Sequence, residues 1–412
     1  MKTALILGAG TAGTLMANKL ARRLDSREWQ IIVVDREERH FYQPGFLYIP
    51  FGQLAPADVV KPKRKFLPRT AKVIFSDIEA IEPQANRVKL ASEPRTISYD
   101  QLVIATGCSI APEETPGMKD GGWRKNIFDF YTLDGATALA ERMRTWAGGR
   151  LVVSITEMPI KCPIAPLEFL FMSNWFFQQR GMRDKVELTL ATPLTHAFTK
   201  PKAAVVLGGL LQEMNIKLVT DFALCEIDNA RTTLVSYDNR EVGYDLLVTI
   251  PVNKGAEVMG RSGIGDELNF VPTHKHTLQS QQWPNVWVIG DATDAPTAKA
   301  GSVAHFMSDV LVENLQHHIR GEPLPEQFDG HANCFIESGF NRAFLIDYNY
   351  TTEPLPGLFP LPVIGPLPLL KRSAINHWSK LLFRQIYWHM LLPGHLPFPS
   401  RMSMAGKNKQ PF

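Results

Sequence analysis

The 412 residues carry a formal charge of +3, with 45% apolar and 21% charged side chains. This composition excludes a disordered or low-complexity chain and supplies enough apolar side chains for two or three packed domains. The charge is too small for a nucleic-acid surface, and four scattered cysteines, at 108, 162, 225 and 334, make neither a disulfide framework nor a CxxC zinc site, so no metal is expected.

The N-terminus shows no leader pattern, because only Lys2 precedes a strand-like run that feeds straight into a glycine loop. Cytoplasmic synthesis is the expectation. No run of about 18 apolar residues is free of helix breakers, so no spanning helix is expected.

In "KTALILGAGTAGTLMANKLARRL", the apolar run Ala4 to Leu7 predicts a buried strand, and Leu15, Leu20 and Leu24 predict a following helix. Glycines at 8, 10 and 13 between them complete a strand, GxGxxG, helix unit, which is the context that makes this pattern specific for a dinucleotide. Gly8 allows the turn, Gly10 admits a pyrophosphate to the backbone, and Gly13 lets the helix pack closely on the strand. The loop Gly8, Ala9, Gly10, Thr11, Ala12 and Gly13 is therefore the candidate phosphate cradle. A second strand, "IIVVD", ends about 20 residues on in Asp35, a candidate partner for the adenosine ribose.

"YDQLVIATG" (99–107) predicts a buried strand ending in Ala-Thr-Gly, and "VWVIGDAT" (286–293) one ending in Gly-Asp. In this order the segments resemble the flavoproteins with two dinucleotide-binding domains. That resemblance implies FAD as cofactor, contacted by Thr106, Gly107, Gly290 and Asp291, and an α/β fold of two Rossmann-like domains.

The middle of the chain keeps the outline of a second Rossmann unit in "RLVVSIT", "KVELTLAT" and "YDLLVTIPV". Where its phosphate loop would stand, the chain reads "ITEMPIKCPIAPLEF", without a glycine. Bulky, proline-stiffened backbone cannot approach a pyrophosphate as glycine does, which argues against NAD(P)H as reductant. Cys162 precedes a predicted helix that begins near Pro163 or Pro166 and ends before Gly181. A thiol at a helix N-terminus feels the positive end of the dipole, so a nucleophilic thiolate is one reading and a small buried cysteine the other.

Cys334 lies in "GHANCFIESGFNRAFLIDYNY", before a glycine-containing turn and a strand. With "PIKCPIAPLEF" and "GDATDAPTAKAGSVAHF", this segment resembles the sulfide:quinone oxidoreductase family, with motifs in order from residue 1 to about 395. The resemblance implies that Cys162 and Cys334 face one another over the flavin as a redox-active disulfide or polysulfide bridge. It implies oxidation of hydrosulfide to polysulfide or sulfur, with electrons passed to membrane quinone. It places Glu168 and His196 where the family moves protons. Lys299, in "TAKAGS" before a predicted helix, is either a cation that would steady reduced flavin or a solvated lysine. Many members carry a third cysteine before the long helix, and residues 109–161 contain none, so the two-cysteine subgroup fits better. Cys108 directly follows Gly107, so a thiol near the flavin is one reading and a packed or partly exposed thiol the other, while Cys225 is expected to be structural.

From Pro354 to Leu370 the chain is uncharged but rich in proline, too broken for a helix. The following segment predicts a helix capped by Ser373. On a helical wheel Ile375, Trp378, Leu381, Leu382, Phe383, Ile386, Met390 and Leu392 share one side, and Asn376, His377, Lys380 and Arg384 the other. This is the pattern of a helix lying in a membrane interface, which predicts peripheral, monotopic attachment, by default on the cytoplasmic side. Quinone would then enter from the bilayer, with Phe335, Phe340 and Phe344 as candidate walls.

The expected organisation is FAD-binding parts at 1–110 and 261–350, a second Rossmann-like domain without a phosphate loop at 111–260, and a membrane-attachment region at 351–412. Homo-oligomer formation stays open. The alternatives are a flavin subunit that passes sulfide electrons to cytochrome c, a type II NADH:quinone oxidoreductase, and a non-enzymatic sulfur carrier.

Overall fold

The structure is a computed structural model that describes residues 1–360 and 365–408. Two five-stranded parallel sheets organise it, and both are Rossmann-like. The first has the order Val286–Val288, Gln101–Ile104, Lys2–Leu7, Trp29–Asp35 and Lys72–Phe75. The second has the order Ile127–Phe128, Leu246–Ile250, Gly149–Ile155, Val186–Ala191 and Ile216–Val219. Central strands of this kind are covered on both faces, which is why they read as unbroken apolar runs: Leu5, Ile6, Leu7, Leu102, Val103 and Ile104 are all fully buried.

Helix α1, Thr11–Arg23, leaves the first strand through the glycine loop. Gly8 has φ +92°, and a Cβ there would stand 2.4 Å from the Ala105 carbonyl oxygen; a Cβ at Gly13 would stand 1.8 Å from that of Gly8. Only glycine permits both the turn and the close helix–strand approach. Helices α2, Leu133–Thr145, α3, Ala165–Gln179, and α4, Pro201–Glu213, belong to the second half. The short α5, Glu257–Arg261, and the long α6, Gly301–Ile319, return the chain to the first sheet, where α6 packs on α1.

An antiparallel hairpin, Ala332–Glu337 with Ala343–Tyr348, carries Cys334 opposite Ile346. The proline-rich stretch forms a smaller hairpin, Gly357–Phe359 with Leu367–Leu369; residues 361–364 of that stretch lie outside the described residues. Helix α7, Ala374–Ile386, is capped as expected, the Ser373 hydroxyl accepting the Asn376 N–H at 3.2 Å. It runs into one π turn, Tyr387–Leu391. The wider turn shifts the helical register, so Leu392 is fully buried although the wheel puts it on the outer side. Phe383 departs from the wheel too, since it faces the central cavity.

The polar side of α7 faces the protein. Asn376 and His377 are buried, whereas Trp378 is 62% exposed, Leu382 56%, Ile375 42% and Leu381 39%. Among the described residues no helix is long and apolar enough to cross a membrane.

Candidate active site

A cavity of about 390 Å³ lies where the first sheet, α3, the Cys334 hairpin and α7 meet. At one end Gly8, Gly10, Thr11, Ala12 and Asp35 line it, joined by Thr106, Gly107, Gly290 and Asp291; Ala9 and Gly13 sit behind this surface, buried. Two features fit a dinucleotide here. Among the described residues a Cβ on Gly10 would meet no atom within 4 Å, so the backbone is open to an incoming phosphate, and the buried Thr106 hydroxyl has no partner. Asp35 accepts the Ala9 N–H at 2.5 Å and pairs with the buried Lys63 ammonium at 2.8 Å. Lys63 lines the cavity and was not singled out in the sequence, where it is one cation in a run of four.

Cys162 and Cys334 line the same cavity, each half-buried and each a free thiol. The parallel bridge between Lys161 and Lys299 positions the first: the Cys162 N–H donates to the Lys299 carbonyl at 2.8 Å, and the Tyr131 hydroxyl donates to the Cys162 carbonyl at 3.1 Å. Its backbone is held at φ +47°, a left-handed conformation that costs an L-residue about 1 kcal/mol. The second thiol is positioned by the hairpin register and by the Ser302 hydroxyl, which donates to the Asn333 carbonyl at 2.7 Å.

Of the two readings of Cys162, its surroundings oppose a free thiolate at the start of α3. Burial, reinforced by the Glu168 carboxylate, pushes the Cys162 thiol up to about 12, although Lys380 and the Ala165 N–H pull the other way. Burial and the charge of a Cys162 thiolate push Cys334 up as well. Desolvation outweighs the helix dipole because α3 begins three positions beyond the thiol.

Glu168, in the first turn of α3, is 3% exposed and lines the cavity. It accepts the Glu337 N–H at 2.6 Å and pairs with the Lys380 ammonium from α7, while burial raises its carboxyl above the usual range. Lys380 was visible only as part of a polar helix face. His196 is not brought to this site: it is exposed, outside the cavity lining, because the loop after Val186–Ala191 carries it to the surface.

Lys299 lines the cavity, but its ammonium donates to the Asp291 carbonyl at 3.0 Å and to that of Thr293 at 2.7 Å. It therefore braces the Gly290–Asp291 turn. Of the three candidate quinone walls, only Phe335 lines the cavity; Phe344 is buried in the core and Phe340 packs against it, since the hairpin turns their side chains away. Cys108, the residue after Gly107, also lines the cavity, its Sγ 4.0 Å from Asp291 Oδ2, and burial pushes its thiol up to about 12.

The C-terminal segment contributes Lys380, Phe383 and Tyr387 to the cavity lining. The Tyr387 hydroxyl lies 2.7 Å from both Thr11 Oγ1 and His40 Nε2, which joins the π turn to the glycine loop. From the same helix as Thr11, the Asn18 amide donates to the Leu392 carbonyl at 3.1 Å and Arg22 to that of Pro393 at 2.8 Å.

Residues 2–153 match the pyridine nucleotide-disulphide oxidoreductase family. The mitochondrial sulfide:quinone oxidoreductase of Mus musculus is 25% identical over 403 residues, covering 96% of this chain and 87% of that protein. Its counterpart in Dictyostelium discoideum is 26% identical, covering 95% and 86%. The solved sulfide:quinone oxidoreductase of Aquifex aeolicus shares the fold, with a TM-score of 0.78 at 21% identity over 96% of this chain and 92% of that one. The resemblance read from the motifs is thus borne out along nearly the whole chain, which is a homologue of the sulfide:quinone oxidoreductases and an FAD-dependent oxidoreductase.

Proposed function

We propose that this protein oxidises hydrosulfide through a Cys162/Cys334 redox pair and passes the electrons to a membrane quinone. The observation that carries the reading is that both thiols line one cavity with the glycine loop, Thr106 and Asp291. The second sheet supports it, because the segment after Gly149–Ile155 holds Cys162 where a nucleotide would need glycine.

Hydrosulfide attacks one sulfur of the oxidised pair; the S–S bond breaks, a persulfide forms on one cysteine, and the other leaves as thiolate. Both thiols are held above their ordinary range, so a free thiolate here is costly, and Lys380 is the cation that lowers both. FAD, when bound, supplies the two-electron carrier between the sulfur pair and quinone. Loss of the electron pair restores the sulfur bridge, and repeated additions lengthen it to polysulfide. Glu168, whose carboxyl burial raises above its usual range, lines the same cavity and is the group proposed to move a proton there.

The outward apolar side of α7 suits a helix lying in a bilayer surface, with Trp378 and Leu382 in the lipid and the Phe335 and Phe383 end of the cavity beneath it. Alanine at Cys162 or at Cys334 tests the reading: each variant should keep its flavin and lose sulfide-driven flavin reduction, and normal reduction in both would refute it.

A further inference from the structure

A run of four cations, Lys61, Lys63, Arg64 and Lys65, is seated against the π turn that ends α7. Lys61 belongs to the short strand Val60–Pro62, and the other three form the 3-10 turn Lys63–Lys65. Trp388 holds the run in place. Its indole stacks on Phe66 with 5.0 Å between ring centres, and the Lys61 ammonium stands 4.7 Å over the same indole. The Asn18 amide ties the two segments together, donating to the Phe66 carbonyl at 2.7 Å and to that of Leu392 at 3.1 Å.

The four cations do not share one task. Lys63 is 4% exposed and is committed to Asp35 at the cavity. Arg64 and Lys65 are exposed, and Lys61 is half-buried. Arg384, four residues before Trp388 and so on the same side of its helix, adds a further outer charge. Burial, then Lys65 and then Arg384 lower the Lys61 ammonium, so these cations crowd one another. Among the described residues Lys61, Arg64, Lys65 and Arg384 make no ion pair, whereas Arg39, Lys63 and Lys380 around them all do. Uncompensated like charges repel, and a counter-anion relieves that repulsion. The cations also adjoin exposed apolar side chains: Met390, 38% exposed, shares the π turn with Trp388, so the outward strip of Trp378 and Leu382 runs on to this rim.

We propose that Lys61, Arg64, Lys65 and Arg384 bind the phosphates of anionic phospholipids, so that α7 attaches selectively to negatively charged bilayers. The proposal rests on the reading of α7 as a helix lying in a bilayer surface. An apolar strip alone does not choose among headgroups. A rim of unpaired cations beside it does, because each cation held within a Debye length of an anionic surface strengthens binding. Anionic lipid satisfies both features, offering acyl chains to the strip and phosphate to the rim, whereas a soluble phosphate engages the rim alone.

The test is sedimentation of the flavin-loaded full chain with vesicles of phosphatidylcholine alone and of an equimolar mixture with phosphatidylglycerol. At low salt the parent should bind the mixed vesicles about tenfold or more tighter than the neutral ones, and high salt should erase the difference. Lys61→Gln, Arg64→Gln and Lys65→Gln combined should lose most of that preference, and Arg384→Gln alone should lose part of it, while binding to neutral vesicles stays parental. Lys63 is left in place, and an unchanged flavin spectrum shows that each variant is folded and loaded. Inorganic phosphate added at constant ionic strength should not displace the parent. Equal binding of the parent to both vesicles, parental preference in both variants, or displacement by inorganic phosphate would overturn the proposal. If the parent binds neither kind of vesicle, the reading of α7 as a membrane-lying helix falls, and the proposal with it.

Discussion

Glu168 accepts the backbone N–H of Glu337 at 2.6 Å, so one carboxylate ties the segment bearing Cys162 to the strand bearing Cys334. The same carboxylate pairs with Lys380, which brings α7 into the arrangement. Three elements distant in sequence thereby meet at one buried side chain and depend on it for that contact.

Removing one partner should expose that dependence. Lys380→Met leaves Glu168 buried without its cation, and loss of a buried ion-pair partner costs about 3 kcal/mol. Urea unfolding should show a loss of that order, and sulfide-driven flavin reduction should slow because the leaving thiolate has lost its counter-charge. Glu168→Gln should be milder in stability, since its amide oxygen can still accept the Glu337 N–H. Equal stability of Lys380→Met and the parent would contradict the pairing.

Tyr387 joins the C-terminal segment to the FAD loop. Tyr387→Phe removes contacts with Thr11 and His40 and strands the buried His40 imidazole, a change worth about 2 kcal/mol. The variant should release FAD faster on dilution, read as the rise of free-flavin fluorescence. Unchanged release would mean that the C-terminal segment does not help to hold the cofactor.

Two buried histidines set the acid limit of stability. Burial, followed by Lys63, lowers His40 from 6.5 to about 3, and burial, followed by Lys19, lowers His305 to about 4. Both are neutral in the folded protein and protonate more readily once it unfolds. Stability is thus undiminished by them above pH 6.5 and falls as pH drops from 6.5 toward 4, by about 1.4 kcal/mol per pH unit for each group. In urea unfolding near pH 7 and near pH 5, His40→Gln should lose about 2 kcal/mol less than the parent over that interval. An identical loss in both would remove His40 from the account.

The exposed side of α7 should govern membrane attachment. Replacing Trp378 and Leu382 together by serine should move the protein from sedimenting vesicles to the supernatant while leaving its flavin in place. Retention on the vesicles would show that this side is not the attachment surface.

Much of the candidate FAD site was legible because its determinants are local. Gly8, Gly10 and Gly13 lie within one turn, and Thr106 and Gly290 end strands whose apolar runs mark them. That Cys162 and Cys334 line one cavity was legible through family motifs alone, since no sequence spacing could bring residue 162 to residue 334. What escaped was tertiary. Lys63 looks like a surface cation until Asp35 is placed beside it, and Lys380 looks like a solvated charge until α7 turns its polar side inward. His196 misled for the converse reason, because a motif position says nothing of where a loop carries the side chain. At Cys162 the helix dipole that favours a thiolate can be read from sequence, whereas the burial that opposes one cannot.

The most direct measurement of the central claim is an anaerobic visible spectrum of the detergent-extracted protein, before and after sulfide and then after a short-chain quinone. The account predicts that sulfide bleaches the oxidised flavin band, that quinone restores it, and that neither occurs with alanine at Cys162 or Cys334. A flavin left oxidised by sulfide but bleached by NADH would contradict it, and would mean that the second domain binds a nucleotide without its usual glycine loop.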